Sequence, residues 1–158
     1  ATTEIYTLSL HDALPICEAV GGGNLLLLAE SNTKALAAAE AAVEAISAVP
    51  GAIMPFPGGI VRSGSKVGGK YKGMMASTND AYAPTLRHLP SSKLGADINA
   101  VLEIVIDGET SVAVAASMRA GIAAVTKLGP TKGAKRITAG NYGGKLGKFH
   151  YHLKDLLP

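Results

Sequence analysis

An α+β domain, with two helices laid on one face of an antiparallel sheet, is predicted by three observations in this sequence. Two segments, GGGNLLLLA at 21–29 and AVLEIVI at 100–106, read as buried strands. Each is followed by polar residues and then by a segment with apolar side chains at helical spacing. Weaker strand segments follow each of those helices. The order is strand, helix, strand, strand, helix, strand, with one extra strand at the end. That is the split β-α-β order of a ferredoxin-like sandwich. Two helices on one face leave the other face of the sheet free, either to pack on another lobe or subunit or to bind something.

The first strand is glycine-led and runs into Glu30, Ser31 and Asn32, whose side chains can cap a helix from Thr33 to Ala48. Leu36, Ala39, Val43 and Ile46 form its expected apolar stripe, with Lys34, Glu40 and Glu44 largely off it. Pro50 and Gly51 stop it. A short apolar run, Ala52 to Phe56, opens a long stretch rich in Gly, Ser, Lys and Pro (55–85), within which Gly59 to Ser65 reads as a strand. Arg87 to Asn99 is polar and reads as a loop. Ala100 to Ile106 is the clearest strand and ends at Asp107-Gly108. Glu109 to Lys127 is the second helix, with Val114, Met118, Ile122 and Val125 on one face and Gly129-Pro130 as its stop. Lys135 to Ala139 is a further strand, GNYGGKLG turns the chain, and Phe149 to Leu153 closes as a last strand.

The length of 158 residues fits one domain, or one domain with a tail. Apolar residues make up 47%, but with five Tyr, two Phe and no Trp the core must be built from Ala, Val, Leu and Ile. A single cysteine, Cys17, excludes an internal disulfide and a Cys-based zinc site, which suits a reducing cytosol and a cytoplasmic location. No apolar run approaches the roughly 20 residues that cross a bilayer, so no membrane partner is expected. The net charge of +3 favours anionic ligands slightly and does not call for nucleic acid.

Residues 1–16, ATTEIYTLSLHDALPI, do not fit the rest of the chain: they hold no Gly, no helical stripe and no basic start of the signal-peptide kind. They resemble translated sequencing adapter and are expected to be a non-native leader, with the domain itself over 17–158; a genuine edge strand is the alternative. The segment has two acids and no base, so without it fifteen basic residues face ten acidic ones.

Compact domains rarely carry so much chain of low hydrophobicity as 55–85 without a use for it, which marks that stretch and the strand after it as a ligand site. Lys66, Lys70 and Lys72 stand among glycines, where backbone N–H groups and ammoniums together hold phosphate or carboxylate; a flexible, solvated basic loop is the plain alternative. The run is not a P-loop, since GSKVGGK lacks the required gap. Gly58-Gly59 and Gly143-Gly144 serve tight turns or close backbone approach. In VLEIVI, Val101, Glu103 and Val105 share one face and Leu102, Ile104 and Ile106 the other. A carboxyl flanked by two valines is partly desolvated, which raises its pKa and favours the protonated form; a solvent-facing glutamate is the alternative. His150 and His152 share a face of the last strand, but no acid or Cys of suitable spacing joins them, so no metal site is expected.

The segments GGGNLLLLAES, AEAAVEAI, PFPGGIVRSGSKVG, ASTNDAYAPT, LEIVIDG and ITAGNYGGKLGKFHYHLKDL resemble the C-terminal (proximal) lobe of the formylmethanofuran–tetrahydromethanopterin formyltransferase family. They run in the family's order across nearly all of residues 20–157. The family's chain has two ferredoxin-like lobes, and the N-terminal one has no counterpart here. The resemblance implies transfer of a formyl group between the amine of methanofuran or methylofuran and N5 of tetrahydromethanopterin or its dephospho form, both as substrates, with no bound cofactor or metal. It also implies a homo-oligomer, a tetramer, with sites in clefts between proximal lobes. The mild basicity is closer to bacterial homologues that are subunits of a formyltransferase/hydrolase complex, whose other subunits would then be partners.

Formyl transfer between two nitrogens passes through a tetrahedral intermediate, and needs a stabiliser of the oxyanion and a carrier for a proton. The family's proposed catalytic acid falls on Glu103. The hydroxyls and amides of Ser77, Thr78, Asn79 and Tyr82 suit a formamide or a pterin edge, while Asp80 either joins them or caps a turn. Lys66 and its neighbours would hold the anionic tails of the substrates, with Gly58 and Gly59 beside them. Asn141 offers an oxyanion donor or satisfies a turn. Two rival readings are a non-catalytic assembly subunit of a formyl-handling complex and a generic module binding an anion such as RNA. The second lacks the stacking aromatics such modules place on a strand. An isolated lobe is expected to be inactive.

Overall fold

The computed structural model describes residues 18–63, 79–140 and 149–157. The long strand β1 (Val20–Ala29) leads to helix α1 (Asn32–Ser47), two short strands β2 (Ala52–Ile53) and β3 (Val61–Arg62), strand β4 (Ala100–Gly108), helix α2 (Ser111–Leu128), strand β5 (Arg136–Thr138) and a single helical turn, α3 (Leu153–Leu156). The leader 1–16, and the readings placed on Lys66, Lys70, Lys72, Ser77, Thr78, Asn141, Gly143 and Gly144, lie outside the described residues.

Among the described residues every pairing in the sheet is antiparallel. β4 and β1 form its centre, with Leu26 opposite Glu103 and Leu25 opposite Ile104. β5 flanks β1, with Leu26 opposite Thr138. The other edge of β4 carries both short strands: β2 meets Asp107 and Gly108, and β3 meets Leu102 and Glu103. The pair β2 and β3 takes the place of one ordinary edge strand, so the order across the sheet is that of the expected split β-α-β sandwich. The interruption falls at PFPGG, where two prolines lack the N–H that a ladder needs. Of the expected strand from Gly59 to Ser65, the described residues 59–63 form strand at Val61–Arg62.

Both helices begin where a side-chain oxygen accepts from the first turn. Ser31 Oγ accepts from Lys34 N at 3.3 Å, and Thr110 Oγ1 from Ala113 N at 3.1 Å. On the sheet's inner face Leu25, Leu27, Ile104 and Ile106 pack against Ala38, Ala42, Ile46, Val114, Met118 and Val125. The stripe of α2 is as expected. That of α1 is rotated: Ala35, Ala38, Ala39, Ala42 and Ile46 are buried, while Leu36 is 45% exposed. Weighting leucine over alanine misplaces the stripe, because small side chains are what let a helix lie close against a sheet and a second helix.

α2 has the length and mean hydropathy, 1.2 over its 18 residues, of a membrane span by length and composition only, and Arg119 and Lys127 interrupt its apolar residues. Its apolar face lies in the core just described, which explains the composition. Ser117 is fully buried on this helix, and among the described residues its Oγ has no hydrogen-bond partner. Ser117→Ala removes an unsatisfied hydroxyl and improves helix propensity, so the chain should gain about 0.5–1.5 kcal/mol. Thermal unfolding checks this; a loss of stability contradicts it.

The chain end departs from expectation. Phe149 to Leu153 forms no strand; Leu153–Leu156 is a helical turn with Leu156 buried in the core cluster, and the Tyr151 hydroxyl donates to Ser111 Oγ at 3.1 Å. Leu153, Leu156 and Leu157 have the i, i+3, i+4 spacing of a helix, which outweighs the alternation of Phe149, Tyr151 and Leu153. His150 and His152 therefore do not share a strand face.

Part of the sheet's outer face is also covered. Leu26, Leu28 and Val101 are covered there by Ile98, Tyr82 and Leu94 from segment 79–99, of which Arg87 to Asn99 reads in sequence as a polar loop. Charges tie that segment to the sheet. Asp97 accepts from Arg136 Nη2 at 3.0 Å and pairs with Lys135 at 3.6 Å, while Lys135 and Lys34 flank Glu30 at 4.0 and 2.8 Å. The Asn99 amide donates to the Glu30 carbonyl at 3.1 Å. The hydrogen bond and charge of Lys34, with the charge of Lys135, hold the Glu30 carboxyl below its usual 4.5. A pKa depressed in the folded state stabilises above the unfolded value and ceases to do so as pH falls through the folded one. Acidification from about pH 6 to below the ordinary carboxylate range should lower the thermal midpoint. Glu30 is half exposed, so 1 M salt should shrink its share of that drop. A drop unchanged by salt contradicts this role for the network.

Candidate functional site

Strand alternation puts Glu103 on the outer face, and the register surrounds it. Leu26 of β1 stands opposite on one side and Val61 of β3 on the other. Glu103 is 7% exposed, which sets aside the solvent-facing alternative. Its Oε1 accepts from Asn24 Nδ2 at 2.8 Å in a buried hydrogen bond. Asn24 lies opposite Val105, so it is the diagonal neighbour of Glu103 across the β1–β4 ladder. Its own Oδ1 accepts from the Gly140 N–H at 2.8 Å.

Gly140, just past β5, is crowded by amides. A Cβ there would sit 2.6 Å from Asn24 Nδ2 and 3.0 Å from both polar atoms of the Asn79 side chain. No larger residue fits without displacing one of them. Asn24, Asn79, Glu103 and Gly140 thus form one polar cluster beneath the outer surface, contributed by β1, β4 and the ends of two connecting segments. Asn79 is itself buried.

Of the residues expected to bind ligand, Asn79 joins Glu103 and Tyr82 packs nearby, in the cluster that holds Val101 and Leu26. Asp80 follows its turn reading: its Oδ1 accepts from the Ala81 N–H at 2.9 Å. Gly58 and Gly59 stand apart, as turn residues with φ of 67° and 74°. A Cβ on Gly59 would meet Val43 Cγ2 at 2.9 Å and Met54 Sδ at 3.1 Å, so this glycine lets the chain pass close to α1 before delivering Val61 beside Glu103. Ser63 continues β3, and its N–H donates to the Val101 carbonyl at 3.4 Å, which places it on the Glu103 face. It is 1% exposed, and among the described residues its Oγ has no hydrogen-bond partner.

Sequence reasoning missed Asn24 and Gly140. The available signal was an amide heading the buried run NLLLLA, on the same face as Leu26 and Leu28, where a polar side chain needs a partner. A hollow of about 330 Å³ lined by Ile122, Val125, Pro130, Ala134, Ile137 and Leu153 lies on the helix side of the sheet, away from this cluster. Among the described residues no three His, Cys, Asp or Glu side chains gather as metal ligands.

A ferredoxin-like lobe with a buried carboxyl and carboxamides on the face away from its helices defines the class of this chain. Residues 8–156 match the model of the family described as FTR, proximal lobe. The chain belongs to that formyltransferase family. It is 59% identical over 138 residues to a formylmethanofuran–tetrahydromethanopterin formyltransferase of Methylobacillus flagellatus, covering 87% of this chain and 46% of that one. It is 63% identical over 139 residues to a subunit of the formyltransferase/hydrolase complex of Methylorubrum extorquens, covering 88% and 45%. The crystal structure of that complex with methylofuran superposes with a TM-score of 0.80 at 62% identity, over 90% of this chain and 46% of that one. The Methanosarcina barkeri formyltransferase gives a TM-score of 0.77 at 45% identity, over 88% and 46%. The chain spans about half the length of the relatives it matches.

Proposed function

We propose that this chain, over residues 17–158, is the acid-bearing proximal lobe of an enzyme that transfers a formyl group between a methanofuran-type amine and N5 of a tetrahydromethanopterin-type pterin. The observation that carries the reading is Glu103, a buried carboxyl held by a carboxamide on the outer face of the sheet. The pterin N5 attacks the formyl carbon of the furan amide, and a C–N bond forms. As the tetrahedral intermediate collapses, protonated Glu103 gives its proton to the departing furan nitrogen, and the original C–N bond breaks. The resulting carboxylate takes the proton that N5 sheds, so the acid is restored and no proton is gained or lost overall. Asn79 and Tyr82, with Ser77, Thr78 and Asn141, hold the substrates and the developing oxyanion, Gly58 and Gly59 shape the approach, and Lys66 takes an anionic tail.

The facing wall of the site comes from another copy of the chain in a homo-oligomer, a tetramer, and both substrates act without a bound cofactor. The likeness to a member of a complex supports assembly with other subunits of a formyltransferase/hydrolase complex in the cytoplasm. The same likeness supports the second reading, a non-catalytic subunit serving assembly. Formyl transfer from formylmethanofuran to tetrahydromethanopterin separates the two, assayed with the chain alone and mixed with the N-terminal half of the Methylobacillus flagellatus relative. The catalytic reading predicts turnover in the mixture and little from the chain alone. A folded, associated mixture without turnover favours the assembly role.

A further inference from the structure

Asn24 does more than fill space beside Glu103, because its orientation is fixed from behind. A carboxamide can be turned end for end, exchanging its donor and acceptor. Here the Gly140 backbone N–H, which can only donate, points at Asn24 Oδ1 at 2.8 Å. That contact forces Nδ2, a group with donors alone, toward Glu103 Oε1 at 2.8 Å. An oxygen that faces a fixed donor is an acceptor in both protonation states of the carboxyl. We propose that Asn24 is a positioning residue that divides the two oxygens of Glu103 between roles: Oε1 is held as a permanent acceptor, and Oε2 carries and passes the proton. This rests on the reading of Glu103 as the acid. The consequence is stereochemical, since only one of the two carboxyl oxygens delivers the proton, from a side set by strand β1.

The test exchanges the two side chains. In Asn24→Asp an acceptor replaces the donor facing Oε1, so two buried carboxyls must share one proton. That pair stays intact at low pH and loses its proton as pH rises, so the variant's thermal midpoint should fall below wild type progressively toward pH 8. In the double variant Asn24→Asp/Glu103→Gln the new glutamine amide donates to the new aspartate. The hydrogen bond is rebuilt with reversed polarity, and the acid now sits on β1. Its midpoint at pH 8 should return most of the way to wild type. Formyl transfer in the two-part mixture should stay at least about 100-fold below wild type.

An Asn24→Asp variant that melts with wild type at every pH overturns the assigned polarity. A double variant that recovers turnover along with stability overturns the division of roles, because the acid then works from either side. Glu103→Gln alone separates this inference from the reading beneath it. If that variant keeps full turnover, the acid itself is misassigned. If it is inactive while either result above is seen, only the role of Asn24 falls.

Discussion

Glu103→Gln is expected to fold as the wild type does and to lose at least about 100-fold in formyl transfer, the scale of a positioned general acid. Glutamine keeps the shape of the side chain and keeps a carbonyl oxygen for the Asn24 amide that donates to Oε1 at 2.8 Å. What it lacks is an ionisable proton. The contrast between preserved fold and lost turnover is therefore informative, since a merely structural glutamate would show the reverse. Circular dichroism and thermal unfolding establish the first half, and initial rates in the two-part mixture establish the second. A variant with unchanged kcat removes Glu103 from the chemistry.

The largest expected effect on stability is at Ile46. It is fully buried between α1, α2 and the sheet, and Ile46→Ala should cost about 2–5 kcal/mol through lost burial and the cavity left behind. Leu36→Ala, ten residues earlier on the same helix, should stay within about 0.5 kcal/mol, because Leu36 is 45% exposed. Chemical denaturation of the two variants measures the phase of α1 directly. Equal losses at both positions contradict the rotated stripe.

That pair of residues also shows where sequence reading stops. The periodicity of α1 was legible, and so were its cap at Ser31 and its end near Pro50. Its buried face was not, because four of the five buried positions are Ala, while the larger Leu36 sits one residue round the helix and is left exposed; which face packs is decided by how closely the partner approaches. α2 raised less ambiguity: Val114, Met118, Ile122 and Val125 are large and share one face, and off that face Val112, in the first turn, is exposed. The terminal segment failed for a different reason. FHYHL alternates like a strand, but the edge it would have to join, β5, is three residues long, and Leu153 and Leu156 gain more by seating a helical turn on the core.

At the site, alternation along VLEIVI was enough to put Glu103 on the face away from the helices, and two flanking valines were enough to suggest its burial. Its partner could not be read, because Asn24 lies 79 residues away and meets Glu103 only through the β1–β4 register. The cover over that face was equally hidden. Within the polar stretch 79–99, Tyr82, Leu94 and Ile98 are isolated apolar residues with no period, and they come together only when the chain folds over Leu26 and Leu28. Asn79 stands out in sequence by type and motif, and it lies buried beside Gly140.

The central claim is that the reacting formyl group meets Glu103 on the outer face of the sheet. A crystal structure of the chain with formylmethanofuran tests it most directly. The account predicts the amide nitrogen of the bound formyl group within hydrogen-bond reach of the Glu103 carboxyl, roughly 2.6–3.2 Å or through one water, with Asn24 still donating to Oε1. A formyl group seated on the helix side of the sheet, or on the outer face beyond reach of Glu103, would contradict it.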